Sequence, residues 1–129
     1  MLADHNAIPV LAVTDLERAR AFYEGTLRLT SVGDVPEGVM YGTANGGLLV
    51  YPSAYAGTNK ATGISFQVPE SVFADEIAAL RSGGVTFQTF DVPADYGTWN
   101  DGVLSGGGMT AVWFADPDGN VLNVESHSG

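Results

Sequence analysis

Glu125 and Asn123 are the side chains in this sequence best placed to hold or activate a polar molecule. They are two residues apart in the strand-like run near its end, so both point to one face of a strand. A carboxylate beside an amide can fix a ligand, and Glu125 is a weak candidate for a general base. The imidazoles are His5 and His127, one near each end. His5 and Glu125 would supply two ligands of a displaced metal site, whereas His127 is more simply a solvated tail residue.

Other reactive groups are missing from the sequence. None of the 129 residues is cysteine, which excludes a thiolate nucleophile, a disulfide and a metal site with cysteine ligands. No nucleophile elbow, phosphate-binding loop or dinucleotide fingerprint occurs. The 15 acidic residues exceed the 5 basic ones, and the formal charge of −10 would repel nucleic acid and an anionic membrane surface. We therefore expect neither as a partner.

The length of the chain fits a single domain over residues 1–129. No run approaches the ~18 consecutive apolar residues of a membrane-spanning helix. The stretch Met1–His5 lacks the basic start and apolar run of a secretion signal. We expect a cytoplasmic protein.

The elements that position the candidate residues occur in the same order twice. In the first half, an apolar run ending at Val13 leads into a helix that begins at Thr14, where Thr14 and Glu17 match a capping box. In the second half, a strand leads into a helix that Gly83 and Gly84 end. The predicted strands after each helix are 29–35, 39–44 and 47–52 in the first half, and 85–92, 110–115 and 121–125 in the second.

This repetition predicts an α+β fold of two βαβββ modules, whose curved mixed sheets form half-barrels with helices on the outer face. Module one spans about residues 6–53, a linker spans 54–61, and module two spans about 62–126. The number of residues that separates matching positions of the two halves is larger at the module ends than near the helices. This indicates an insertion in the second copy, which we place at 93–108. A loop of this length containing Tyr96 and Trp99 is either a lid over a pocket or an ordinary loop held by its own aromatic side chains.

Two segments make the chain similar to the vicinal oxygen chelate superfamily, which includes glyoxalase I, extradiol dioxygenases and bleomycin-resistance proteins. The run from Val13 to Tyr23, VTDLERARAFY, resembles that family's opening from strand to helix, and the run from Phe114 to Asn120, FADPDGN, resembles its final turn. The resemblance covers nearly the whole chain, extends to a glyoxalase-like bacterial subgroup and implies a homodimer. We expect the acidic residues of the final turn to shape the backbone and not to catalyse.

The resemblance also implies where a metal would bind. In metal-dependent members, His, Gln or Glu occupies one position on the first and last strand of each module. Those positions here are Ile8, Val50, Gly63 and Asn123. Ile8 and Val50 have no donor atoms, Gly63 has no side chain, and one neutral amide does not hold a divalent ion against water. The prediction is that no metal and no other cofactor is bound.

The inward faces of the sheets predict the character of a binding site. A mostly apolar lining with a few polar groups is typical of a small-molecule pocket, although a solvated sheet face also tolerates such residues. Trp113 should share this side because Phe114 packs under a helix, and stacking rings favour a flat or cationic ligand. The expected ligand-binding residues are Ile8, Val50, Gly63, Ser65, Gln67, Trp99, Trp113, Asn123 and Glu125, with Tyr41, Tyr51 and Tyr55 on or near strands of module one.

These observations favour a metal-free protein that binds or sequesters a small organic molecule, which is aromatic or cationic. The resemblance implies antibiotics or secondary metabolites as ligands. The alternative is a metal-dependent glyoxalase-like lyase or dioxygenase with non-standard ligands. A third possibility is an accessory protein whose cup is filled by its own side chains. A binding protein is favoured over an enzyme, because no standard catalytic motif is present.

Overall fold

The computed structural model describes residues 1–128 as two compact units, each with its own sheet. The first unit comprises Met1–Gly63 together with Asp116–Asn120, and the second comprises Ile64–Ala115 and the chain from Val121 onward. Two sheets with few helices confirm the predicted α+β class. Within residues 1–128, no helix has the length and apolar character needed to cross a membrane.

The elements of the first unit are β1 Val10–Val13, α1 Leu16–Arg20, β2 Thr30–Val35, β3 Gly38–Thr43 and β4 Gly46–Pro52. The strands form a mixed sheet in the order β1-β4-β3-β2. Strands β1 and β4 are parallel, and the other neighbours are antiparallel. Helix α1 continues directly into a π-helical turn, Ala21–Thr26, and a short 3-10 turn, Leu2–Asp4, precedes β1.

The N-cap of helix α1 lies one residue later than predicted. Its N-cap is Asp15, whose Oδ1 accepts hydrogen bonds from the backbone N–H groups of Glu17 and Arg18 at 3.0 and 3.2 Å. The Thr14 hydroxyl instead donates to Asp118 at 2.7 Å. Thr14 and Asp15 both have side chains that can cap a helix. The hydrogen bond from Thr14 to Asp118, distant in sequence, leaves Asp15 as the N-cap.

Alternation along β1 follows the prediction, whereas the face assigned to Val50 was wrong. Leu11 and Val13 are buried, and Val10 is 52% exposed. In the parallel register Val50 lies beside Leu11, and it is 1% exposed. Strand neighbours in register point to the same face, so Val50 belongs to the buried face. Leu49 and Tyr51, beside Val10 and Ala12, occupy the opposite face.

The remaining elements are β5 Thr62–Gln67, α2 Glu70–Ser82, β6 Thr98–Asn100, β7 Val103–Gly106, β8 Met109–Ala115 and β9 Val121–His127. Their strands form the second sheet, in the order β5-β9-β8-β7-β6. Helix α2 ends at the predicted glycine, because the Gly83 N–H caps the last turn. Phe73, Ile77 and Leu80 are its buried side chains. The antiparallel pairs β6–β7, β7–β8 and β8–β9 complete the sheet.

Two predictions about the second unit were wrong. Residues 85–92 form no strand, although the Gln88 N–H donates to the Trp113 carbonyl at 2.7 Å. The segment 93–108 is neither a lid nor a plain loop, because it contains β6 and β7, which extend the sheet. Gly97 and Gly106 permit this close pairing, since a Cβ at either position would overlap the backbone opposite.

Candidate functional site

One face of the second sheet collects most of the residues predicted to bind a ligand. Trp113 on β8 lies opposite Asn123 on β9, and Glu125 lies opposite Ala111. Antiparallel partners point to the same face, so these side chains share a side of the sheet. The pairs Trp99–Leu104 and Leu104–Ala111 bring Trp99 to that same side. We call this surface, defined by Ser65, Gln67, Trp99, Trp113, Asn123 and Glu125, the Asn123 face.

Three aromatic rings form a cluster on the Asn123 face. The Trp99 and Trp113 ring centroids are 6.0 Å apart, and Phe90 lies 5.3 Å from Trp99 and 4.9 Å from Trp113, all edge to face. The Trp99 indole N–H donates to the Phe90 carbonyl at 3.1 Å, which fixes that ring. Sequence reasoning missed Phe90, because it predicted a strand over 85–92 and the segment lies outside the sheet. With 46% of Phe90 exposed, the cluster presents aromatic surface to solvent.

A chain of hydrogen bonds crosses the same face. The Gln67 Nε2 donates to the Ser65 hydroxyl at 2.6 Å, and that hydroxyl donates to the Asn123 Oδ1. The Asn123 Nδ2 donates to the Val112 carbonyl at 3.1 Å. The Asn123 side chain is 2% exposed, and these two bonds hold both ends of its amide. Its orientation is therefore set by protein partners. Gln67 is the solvent-exposed end of this series of hydrogen bonds.

Glu125 has an imidazole as its partner. The His127 Nε2 and the Glu125 Oε2 are 2.7 Å apart. The prediction that His127 is a solvated tail residue was wrong in part, because it is the last residue of β9, although its side chain is 59% exposed. The Glu125 side chain is 19% exposed and is oriented by this contact. His5, the ligand considered with Glu125 from the sequence, lies in the first unit and is exposed.

The residues predicted in the first unit are differently placed. Ile8 precedes β1 and is 36% exposed, and Gly63 lines a cavity of about 350 Å³ within this unit. Tyr41 is buried, and its hydroxyl donates to Glu24 at 2.8 Å. Burial, and secondly this hydrogen bond, raise the pKa of Tyr41 above its usual range. Tyr41 therefore serves the core, whereas Tyr55 is 80% exposed.

The positions assigned from the sequence to a superfamily metal do not fit one. Ile8 has a hydrocarbon side chain, Gly63 has none, and the Asn123 amide already has partners at both ends. Val50 lies on the buried face, and the β4 residues on the opposite face are Leu49 and Tyr51. Glu125 and His127 are of ligand type, but no group of three or more His, Cys, Asp or Glu side chains suited to a metal occurs within residues 1–128.

The acidic turn is structural, as predicted. The Asp116 Oδ2 accepts from the Tyr23 hydroxyl at 2.7 Å and from the Asn120 Nδ2 at 2.8 Å, and its Oδ1 accepts the N–H groups of Asp118 and Asn120. Asp118 accepts from Arg18 at 3.1 Å. Burial, and secondly the Asp116 charge, raise the pKa of Tyr23 far above its usual range. These bonds attach the turn to the first unit.

The comparison with protein families agrees with this architecture. The model of the Glyoxalase/Bleomycin resistance protein/Dioxygenase superfamily matches residues 4–124, and the chain belongs to that superfamily. No curated protein matches the chain.

Solved structures share the fold at low sequence identity. The fosfomycin resistance protein FosX from Listeria monocytogenes, in a monoclinic form, has a TM-score of 0.73 at 13% identity, covering 99% of this chain and 94% of that one. A putative glyoxalase family protein from Bacillus anthracis has a TM-score of 0.67 at 16% identity, with 96% and 97% covered. An integron cassette protein from V. cholerae has a TM-score of 0.63 at 21% identity, with 99% and 100% covered. At these identities the likeness establishes the fold alone.

Proposed function

We propose that this chain binds a small organic molecule on the Asn123 face, and that it does so without a metal. The observation that carries the proposal is the position of Trp99, Trp113 and Phe90 on the same face as the hydrogen-bonded chain through Ser65 and Asn123. Flat apolar surface beside a few fixed polar groups is the composition of small-molecule sites. Membership of the superfamily supports a ligand-binding role. The fold likeness to FosX, described as a fosfomycin resistance protein, supports antibiotics or secondary metabolites as the ligand class.

The preferred ligand in this proposal is aromatic and cationic. The faces of tryptophan and phenylalanine rings attract cations. The formal charge of −10 raises the local concentration of cations around the whole protein. Glu125 adds a carboxylate on the face itself, held by His127 at 2.7 Å. An anion would meet repulsion from both the overall charge and this carboxylate.

Intrinsic fluorescence tests the site directly, because both tryptophans of the chain lie in the cluster. Benzyltrimethylammonium, benzyl alcohol and benzoate present one ring with positive, neutral and negative charge. We expect a saturable change in emission, with affinity falling in that order, and N-acetyltryptophanamide as the control for collisional quenching. If none of the three compounds gives a saturable change, the proposed site is wrong.

A matched pair of variants tests the role of Glu125. Glu125→Gln keeps the shape of the side chain and removes its charge, so the affinity for benzyltrimethylammonium should fall by about 5-fold or more while that for benzyl alcohol is unchanged. Glu17→Gln removes a 90% exposed carboxylate of the first unit and should leave both affinities unchanged. Equal losses in the two variants would show that only the net charge matters.

The metal-free part of the proposal has its own test. Elemental analysis of protein purified from cells supplied with manganese, nickel, iron and zinc should find less than one equivalent of any of them. A chelator should leave the fluorescence titration unchanged. A stoichiometric metal that is lost in Glu125→Ala would contradict this part and leave ligand binding itself standing.

The alternative function is a metal-dependent lyase or dioxygenase with non-standard ligands. The observation in its favour is the contact between Glu125 and His127, two side chains of ligand type on neighbouring positions of one strand face. Two protein ligands are fewer than the three that catalytic metal sites commonly use. The metal analysis above therefore decides between the two functions.

The homodimer and the cytoplasmic location also belong to this proposal. Both rest on the sequence and on the superfamily, whose members commonly pair. Size-exclusion chromatography with light scattering should give about twice 13.4 kDa. A mass of one chain at all concentrations would contradict the dimer.

A further inference from the structure

The first unit contains a cavity that the proposed function does not use. Its volume is about 350 Å³, within the range of roughly 300–1,000 Å³ typical of ligand pockets. It lies along β1, which is an edge strand of its sheet. Its lining includes Ala12 of β1, Tyr55 and Thr58 of the linker, Thr62 and Gly63 at the start of β5, and Asn120 of the acidic turn. The lining residues are all uncharged.

Asn120 contributes an amide of fixed orientation to the lining of this cavity. The residue is 7% exposed, and its Nδ2 donates to the Ala12 carbonyl at 2.7 Å and to the Asp116 Oδ2 at 2.8 Å. Because both neighbours are acceptors, the amide nitrogen must face them, which fixes the orientation of the whole group. The Oδ1 on the other side has no hydrogen-bond partner among residues 1–128. A ligand in the cavity that donates a hydrogen bond would satisfy it.

The linker adds polar groups and one exposed ring. The Tyr55 and Thr62 hydroxyls make no side-chain hydrogen bond within the described part of the chain. Thr58 donates to the Tyr55 carbonyl at 2.8 Å, so its oxygen keeps the capacity to accept. Tyr55 is 80% exposed, and an aromatic ring of this kind beside hydroxyl and amide groups offers a flat surface to a polar ligand.

We propose that this cavity binds a neutral, polyhydroxylated small molecule of about monosaccharide size, independently of the Asn123 face. The Asn120 Oδ1 can accept a hydrogen bond from a ligand hydroxyl group. A charged ligand would lose its hydration without meeting an opposite charge, because no lining side chain carries one. Hydroxyl groups can donate to Asn120 and also exchange hydrogen bonds with Tyr55 and Thr62.

An NMR titration of the whole chain tests this proposal with defined probes. D-glucose and myo-inositol are neutral, whereas D-glucuronate and D-glucosamine carry a negative and a positive charge at similar size. We expect saturable millimolar shifts of the backbone amides of Ala12, Thr62 and Asn120 with a neutral probe, and at least 5-fold weaker effects with the charged ones. No saturable shift with either neutral probe, or equal binding of the charged ones, would overturn the proposal.

Matched tyrosine variants locate the binding. Tyr55→Ala removes an exposed ring at the cavity and should weaken binding of the neutral probe by about 5-fold or more, as should Thr62→Val. Tyr96→Ala removes a ring that is 61% exposed in the second unit and should have no effect. Circular dichroism checks that each variant is folded. If Tyr55→Ala and Thr62→Val both bind like the unaltered chain, the cavity is not the binding site.

Tryptophan emission separates the two sites. The neutral sugars should leave it unchanged, because both indoles lie in the second unit. Sugar binding without a response to benzyltrimethylammonium would refute the proposed function and leave the cavity site intact. A response to benzyltrimethylammonium without sugar binding would refute the cavity site and leave the proposed function intact.

Discussion

Asp116→Asn should destabilise the protein more than any other single exchange of a carboxylate for an amide that these contacts suggest. The Asp116 side chain accepts four hydrogen bonds, two on each oxygen. In the variant, the remaining oxygen keeps the backbone N–H groups of Asp118 and Asn120, because these two donors cannot turn away from the new amide nitrogen, whereas the Tyr23 hydroxyl can rotate. The new nitrogen then faces the Tyr23 hydroxyl and the Asn120 Nδ2.

The expected cost follows from these partners. The Tyr23 hydroxyl can rotate and accept, but the Asn120 Nδ2 meets another donor and loses one acceptor. A buried donor left without an acceptor costs about 1–3 kcal/mol, and bonds to a charged group are about 1 kcal/mol stronger than neutral ones. The amide is uncharged, so the variant avoids the desolvation penalty of the buried carboxylate, and this offsets part of the loss of stability. We expect a loss of about 2–4 kcal/mol, a large share of the roughly 5–15 kcal/mol of a typical domain.

Urea denaturation followed by circular dichroism measures this loss. With an m-value of about 1.5 kcal/mol/M, the midpoint should fall by about 1.3–2.7 M. Asp34→Asn is the matched control, because Asp34 accepts from Arg20 at 2.8 Å but is 72% exposed, and its ion pair is worth only about 0–1 kcal/mol. If the two variants lose equal stability, the buried network is not what holds the turn.

Three further predictions follow from buried or crowded groups. Because the pKa values of Tyr23 and Tyr41 are raised, their hydroxyls stay protonated in the folded state while those of the unfolded chain ionise above about pH 10; stability should therefore fall by up to about 1.4 kcal/mol per pH unit for each tyrosine above that pH. Denaturant midpoints at rising pH should show a shallower fall in Tyr23→Phe, and an unchanged slope would refute this. Asn123→Ala should cost about 1–3 kcal/mol by calorimetry, since it leaves the Ser65 hydroxyl without its acceptor, and a loss below about 0.5 kcal/mol would show that the amide is dispensable. Gly38→Ala should cost several-fold more than that or prevent folding, because its Cβ would overlap a backbone carbonyl of β4; equal expression and melting temperature of the variant would refute the close approach.

Local patterns in the sequence predicted helix α2 well. Its apolar side chains recur at helical spacing, and glycine ends it, so the chain within a few residues contains the whole signal. Alternation on β1 was predicted correctly for the same reason. The start of α1 was not, because Thr14 and Asp15 are both good N-caps, and the choice depends on Asp118, 104 residues from Thr14.

The candidate site was predicted in part. Ser65, Asn123 and Trp113 share a face because each face follows from alternation within its own strand. Val50 was assigned to the wrong face, because the register between parallel β1 and β4 depends on how two strands distant in sequence pair. The local pattern around Phe90 predicted a strand that does not form, and the position of Phe90 arises from ring contacts of a segment outside the sheet.

The sequence by itself determined the superfamily, the repeated order of strand and helix, and the absence of cysteine. These properties depend on residue identity and on spacing within a few residues. Only the tertiary structure decided that Trp99 and Trp113 are in contact, that Asn123 is held at both ends, and that the Asn120 amide donates to the Ala12 carbonyl. Those properties depend on strand register and on pairs up to 108 residues apart, which no local pattern specifies.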